Sequence, residues 1–416
     1  MLWALAVLLC ALALVQAVHK ARKGQCAILK WRPAVVALER GETIYGRDET
    51  TLREGFPTLP TTALALRPFL AFGDVTAGVL WALFKIALVV WMVLECVQLA
   101  AGRAAEYPPW AFVALLLLMA RVLLSDIAHG NINIPVAACV VASASSWARG
   151  RERAAGLWAA LGATLKITPA LLVVYFVWKR SPRAAAWMLL GVALFAGVLP
   201  ALMLGFERHA GLLSEWWAQM VEPYVRGAAL TRMQTEHINQ SLTGVLGRLL
   251  TESVAIVARP PHFESDVSIH VLALERSSFK LVFYLAAAAV LAFVAWCSRS
   301  TRTPRAVLGE FALLALAMLL LSERSWKQHY VTLLLPLAFL LHYATNPATP
   351  APARRRSFIV LGLALALTGL TGEGLLGERL SDLAEAYGAW LWAAVALLVG
   401  VGLALRPVAA DSARPR

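Results

Sequence analysis

The chain has 416 residues, is 60% hydrophobic with a formal net charge of +13, and has a mean hydropathy of +0.67. Soluble domains lie nearer about 45–50% apolar, so an ordinary globular protein is excluded. The basic excess would suit a nucleic-acid binder, but Arg and Lys sit in short loops between apolar runs, which is the positive-inside pattern of a membrane protein.

The apolar runs are roughly 15–26 residues long, close to the length a bilayer demands. They are continuous rather than alternating, which predicts helices and not barrel strands. Spans are expected at 2–18, 75–100, 108–124, 131–147, 184–206, 279–297, 306–321, 329–343, 357–375 and 386–405. The first run lacks a basic n-region, and Gly24-Gln25-Cys26 lacks the usual lipobox Leu, so an uncleaved helix is expected. Residues 154–178 break the pattern. They are apolar but flanked by Arg149, Arg151 and Arg153 before and by Lys179, Arg180 and Arg183 after, and are interrupted by Lys166 and Thr168-Pro169. A re-entrant or broken helix pair is predicted there.

Two long outer loops follow from this threading, 19–74 and 207–278. Residues 344–356 read as a cytoplasmic Pro/Ala linker ending in Arg354, Arg355 and Arg356, and 357–416 as a C-terminal helix pair. Ten crossings place that arginine triplet, the loop of Arg149 to Arg153 and the loop of Arg299, Arg302 and Arg305 on one side with both termini. That side is read as cytoplasmic. The acidic loop of Glu373, Glu378, Asp382 and Glu385 then falls outside. The whole reads as one integral membrane domain.

This topology gathers polar residues at the outer face: Asp126 with His129, Gly130, Asn131 and Asn133; Glu236 with His237, Asn239, Gln240 and Ser241; and Glu323, Arg324, Trp326, Lys327 and His329. Polar groups at membrane depth are expensive and point to function, although Asn is equally at home capping helices and making turns. The basic run Lys20, Arg22, Lys23, Lys30 and Arg32 is placed outside, against the positive-inside rule, which suits either a phosphate or a lipid headgroup. Lys166 either snorkels or reaches a phosphate from a broken helix. Lys85 and Glu95 lie within the second predicted span without an assigned role. The histidines, including His262 and His270, are scattered without ligand spacing, so no metal is expected. The five cysteines (Cys10, Cys26, Cys96, Cys139, Cys297) are odd in number and irregular in spacing, and indicate neither a disulfide framework nor a zinc site. There is no P-loop and no Gly-x-Gly-x-x-Gly.

One ordered set of motifs is more specific than its parts. It comprises Gly130, Asn131 and Asn133; Ala155-Gly156; Leu165-Lys166-Ile167-Thr168-Pro169; Lys179-Arg180; Asn239-Gln240-Ser241; and Ser325-Trp326-x-x-His329 followed by Leu335-Pro336. The first outer loop adds Trp31, Gly41, Tyr45 and Phe56-Pro57-Thr-Leu-Pro60. From about residue 30 to 345 the chain resembles glycosyltransferase family 87, membrane enzymes of the GT-C superfamily that include polyprenyl-phosphate-mannose-dependent α-mannosyltransferases.

The resemblance implies an all-α, GT-C-like bundle of about ten transmembrane helices with a broken helix pair and outer-face loops. It implies transfer of a hexose, mannose foremost, from a polyprenyl-phosphate sugar to an extracytoplasmic lipid or glycan acceptor, without cofactor or metal. The expected partners are membrane lipids, with no nucleic acid. The first-outer-loop Asp that serves such enzymes as base is missing: residues 1–38 contain no acidic residue, and the nearest carboxylates are Glu39, Glu42, Asp48, Glu49 and Glu54. His329, Asp126, Glu323 and Glu236 are therefore the candidate bases. Lys166, Arg324, Lys327, Lys30 and Arg32 are candidates for the lipid phosphate. Asn131, Asn133, Asn239 and Gln240 are candidates for the sugar, and Trp326 is a further substrate-binding candidate. Two rivals fit the same features: a secondary transporter or lipid flippase, and a non-catalytic polyprenyl-lipid binder.

Overall fold

The computed structural model describes residues 2–45, 56–103, 106–225, 233–299 and 302–411. Asp48, Glu49 and Glu54 lie outside the described residues. Among the described residues the regular elements are helices, accompanied by isolated antiparallel bridges (Ile256 with Val267, Arg259 with Phe263). Among the described residues, seven helices are long and apolar enough to cross a membrane, or eight if one bent pair counts as a span. They include Asp74–Ala101, Pro109–His129, Pro182–Leu204, Arg276–Cys297, Pro304–Leu321 and Ala389–Arg406.

The expected count of about ten is not reached by single helices, and the differences are local. The 131–147 run is the Asn133–Ala148 helix of 16 residues, almost wholly buried. The 329–343 run is a 3-10 turn, Lys327–Leu333, continuing into the buried helix Leu334–Thr345. The C-terminal region contains Ala351–Thr368 and Glu373–Ala386, bent by 84° at their junction. The 154–178 segment is broken as its sequence predicts. The Glu152–Leu165 helix ends at Lys166, whose backbone is extended (φ −156°, ψ 129°), and Thr168-Pro169 open a 3-10 turn before Leu171–Trp178. Proline cannot continue the helical ladder, and it disfavours helical backbone in the residue before it.

The chain divides into two compact units. The first comprises residues 3–92 and 123–231, the second 93–122 and 232–416. In the first, Glu152–Leu165 packs against Pro182–Val192 through small residues. A Cβ on Gly156 would lie 2.5 Å from the Ala184 carbonyl oxygen, and one on Gly191 would lie 2.6 Å from Ala160 Cβ. The Ala155-Gly156 motif is thus explained by helix approach, the usual use of small residues between membrane helices. The first-loop motif is explained by packing as well. Tyr45 and Phe56 are buried in a cluster with Ile28, Val35, Leu38 and Leu66. The Tyr45 hydroxyl donates to the Thr58 carbonyl at 2.8 Å, Phe56 packs edge-on to Trp31, and Gly41 caps Arg32–Arg40 at φ 85°.

Candidate active site

In the first unit the polar residues form a chain. Lys85 and Asp126 are both fully buried and form an ion pair at 2.6 Å, and Lys85 also donates to the Asp126 carbonyl. Asn133 Nδ2 donates to Asp126 Oδ2 at 2.9 Å. That bond turns Asn133 Oδ1 toward Lys166, whose ammonium donates to it at 3.1 Å. A buried carboxylate survives only when paired and hydrogen-bonded, and Asp126 meets both conditions inside the protein. Its role here is to neutralise Lys85 and fix Asn133, and Lys166 is the half-buried end of the series.

The turn carrying these residues is tightly specified. Gly130 has φ +71°, and a Cβ on it would lie 2.2 Å from Cys26 Sγ. Its carbonyl accepts from Trp81 Nε1 at 2.9 Å, and His129 Nδ1 lies 3.0 Å from Lys20 Nζ. Asn131 is half-buried beside it. The two cations of the first loop differ. Arg32 donates to the carbonyls of Leu70 and Phe72 and pairs with Asp74 at 3.0 Å, so its guanidinium ties a loop helix to the start of the Asp74–Ala101 span. Lys30 is exposed.

In the second unit the segments around 236–241 and 322–329 meet. Asn239 Nδ2 donates to the carbonyls of Gln234 (2.9 Å) and Glu323 (3.0 Å), while its Oδ1 accepts from Ser241 N (3.2 Å) and Ser325 N (3.0 Å). Gln240 Nε2 donates to the carbonyls of His237 and Glu385, and its Oε1 accepts from Trp390 N. Ser241 caps Leu242–Leu250. A primary amide has two donors and two acceptor lone pairs, so Asn239 is saturated and Gln240 nearly so. Both residues stitch the backbone, which makes them positioning residues instead of the sugar contacts expected from sequence.

The hub of this stitching is Arg248, for which the sequence offered no signal. It is fully buried and donates to five carbonyls, those of Thr235, Glu236, Asn239, Glu385 and Ala386. Burial pushes the guanidinium down to about 10, so it stays charged at neutral pH.

His329 lies in the 3-10 turn that opens this region. Its Nδ1 is 3.2 Å from the Trp326 amide and 3.0 Å from the Arg324 carbonyl, and its ring stacks on Trp326 with centroids 6.0 Å apart. It therefore caps the turn while remaining only half-buried, with the exposed Trp326 indole as an aromatic face. Lys327 pairs with the buried Glu385 carboxylate at 2.5 Å, and Arg121 approaches the same oxygen at 3.7 Å. Glu323 and Arg324 are half-buried, and Glu236 is exposed with its carbonyl bound to Arg248. Arg121 and Glu385 were not singled out as site residues, because a lone charge carries no partner signal when the partner lies hundreds of residues away.

The sequence profile of glycosyltransferase family 87 matches residues 59–323, over half of the chain. The chain belongs to glycosyltransferase family 87. A relative from Mycolicibacterium smegmatis, described as a polyprenol-phosphate-mannose-dependent alpha-(1-2)-phosphatidylinositol mannoside mannosyltransferase, is 28% identical over 378 residues. That alignment spans 83% of this chain and 74% of the relative. Among solved structures, ArnT from Cupriavidus metallidurans bound to undecaprenyl phosphate aligns over 97% of this chain and 79% of that one, at 15% identity and a TM-score of 0.43. The chain is thus a multi-pass membrane glycosyltransferase by family. Glu385 and the whole 3-10 turn that carries His329 lie C-terminal to the matched region.

Proposed function

We propose that this chain transfers a hexose, mannose foremost, from a polyprenyl-phosphate sugar to an extracytoplasmic lipid or glycan acceptor, with inversion at the anomeric carbon and without a metal. The observation that carries the reading is the family-87 match together with the relative's dependence on polyprenol-phosphate-mannose.

The site residues supply the needed chemistry. His329 is the proposed base, in the tautomer whose Nδ1–H donates to the Arg324 carbonyl and whose Nε2 accepts the hydroxyl proton. Asp126 is a poorer candidate, since protonating it would leave Lys85 as a buried unpaired charge. Either Lys166 of the first unit or Lys327 and Arg324 of the second are proposed for the phosphate, whose charge grows as the sugar departs. Trp326 offers a face to the sugar, and Asn131 a hydroxyl partner. The short basic loops of Arg149 to Arg153, Arg299 to Arg305 and Arg354 to Arg356 support a reading with both termini cytoplasmic and the active site on the extracytoplasmic side.

The test is transfer of label from polyprenyl-phosphate mannose to membrane lipid extract by protein in nanodiscs. Wild type is expected to transfer, with His329→Ala losing at least about a hundredfold, the scale of one general base, and Asn131→Ala about tenfold, the scale of one hydrogen bond. Wild-type protein that binds polyprenyl phosphate but transfers nothing from any hexose donor would refute the reading.

A further inference from the structure

The second unit holds a charge arrangement that stitching does not explain. The Glu385 carboxylate is fully buried, and neither of its oxygens makes a regular hydrogen bond. Oε1 is instead approached by two cations, Lys327 at 2.5 Å and Arg121 at 3.7 Å, whose side chains are 31% and 27% exposed. Arg121 is otherwise braced, with Nη1 donating to the Thr368 carbonyl at 2.6 Å and its guanidinium lying 5.1 Å from the centre of the Trp390 ring. Lys327 has no other brace among the described residues and stands beside Trp326 and His329.

One buried carboxylate thus gathers two partly exposed cations, and the Glu373 carboxylate also acts on Arg121. Sharing one oxygen, the two cations stand within about 6 Å of each other, where like charges repel. The carboxylate offsets that repulsion and holds the Lys327 ammonium in place. Both cations keep part of their side chains exposed, and an ammonium beside a guanidinium suits the oxygens of a phosphate, which binds best to charged donors fixed in advance.

We propose that Glu385 is a positioning residue that holds Lys327 and Arg121 as a phosphate-binding pair. The inference rests on the reading of the chain as a polyprenyl-phosphate-dependent transferase, and adds to it a carboxylate beyond the family-matched region. It carries a distinctive sign. If the cations contributed only charge, Glu385→Gln would raise the net positive charge and tighten phosphate binding. If Glu385 positions them, the same change lets them separate and weakens binding. The backbone carbonyl of Glu385, which Gln240 and Arg248 hold, is untouched by the substitution.

The experiment compares wild type, Glu385→Gln, Glu385→Asp, Lys327→Ala and Arg121→Ala in nanodiscs. One arm reads thermal stabilisation by undecaprenyl phosphate, by undecaprenol and by inorganic phosphate. The other reads kcat and KM for polyprenyl-phosphate mannose. The expected result is stabilisation by the phosphate lipid and not by undecaprenol, with half-saturation and KM raised about tenfold in Glu385→Gln and Lys327→Ala, the scale of one charged hydrogen bond. Arg121→Ala should follow, kcat should change far less, and Glu385→Asp should recover most of the loss. Stabilisation by inorganic phosphate alone would assign the pair to the free ion. An unchanged or lowered KM in Glu385→Gln, or equal stabilisation by undecaprenol, overturns the proposal. Wild type that transfers nothing, yet shows this binding pattern, removes the transferase reading and leaves the phosphate pair standing.

Discussion

Replacing Arg248 with Met tests the stitched region most sharply. Met keeps the length and apolar stem but removes every N–H. Of the five carbonyls that Arg248 bonds, those of Glu236 and Glu385 have a second donor, from Asn239 N and Gln240 Nε2. Those of Asn239 and Ala386, bonded at 2.9 and 2.8 Å, lean on Arg248, as does Thr235 at a longer 3.3 Å. Each buried carbonyl left unsatisfied costs about 1–3 kcal/mol, and relief of the buried charge returns part of it, so a net loss of about 3 kcal/mol is expected. By thermal melting in nanodiscs this corresponds to a drop of about 5 °C or more. Lys at the same position should rescue little, because a point charge with three donors cannot span a fork of five carbonyls. A Met variant melting within about 1 °C of wild type would refute the assignment of Arg248 as the hub.

Three further outcomes follow from the same geometry. Gly130→Ala combines a disfavoured φ with a clash on Cys26 Sγ, so it should destabilise by about 2 kcal/mol or more, and Cys26→Ala should restore only the clash component, by melting of the double variant. Lys85→Met alone should cost about 3–5 kcal/mol by leaving Asp126 unpaired, while Lys85→Met with Asp126→Asn should cost much less; a double variant as damaged as the single contradicts the pairing. Burial pushes the His237 imidazole below its ordinary value. The native state therefore binds fewer protons than the unfolded chain near this group. Its stability contribution is complete above about pH 6.5 and is lost as pH falls toward the lowered native value, a decline that His237→Gln should flatten in melts at pH 7.5 and 5.

The apolar runs were legible because lipid and helix geometry together demand them. The break at Lys166 was legible because basic residues flank both ends of a stretch interrupted by Thr168-Pro169. What hydropathy could not separate were spans and buried short helices. Asn133–Ala148 and Leu334–Thr345 are as apolar as a span because the protein interior rewards the same residues as lipid does. Side-chain amides pose the same ambiguity at the site. Asn239 and Gln240 have the groups a sugar needs, but those groups serve backbone carbonyls equally well, and only the fold shows where they went. Glu385 and Arg248 lie 137 residues apart in sequence yet share one carbonyl contact. No local pattern connects them.

The central claim is that the sugar arrives on a lipid phosphate. The most direct measurement gives wild-type protein in nanodiscs two labelled donors, polyprenyl-phosphate mannose and GDP-mannose, with the same lipid-extract acceptor. The account predicts product from the lipid donor alone, lost in His329→Ala. Product formed from GDP-mannose with no polyprenyl phosphate present would contradict it.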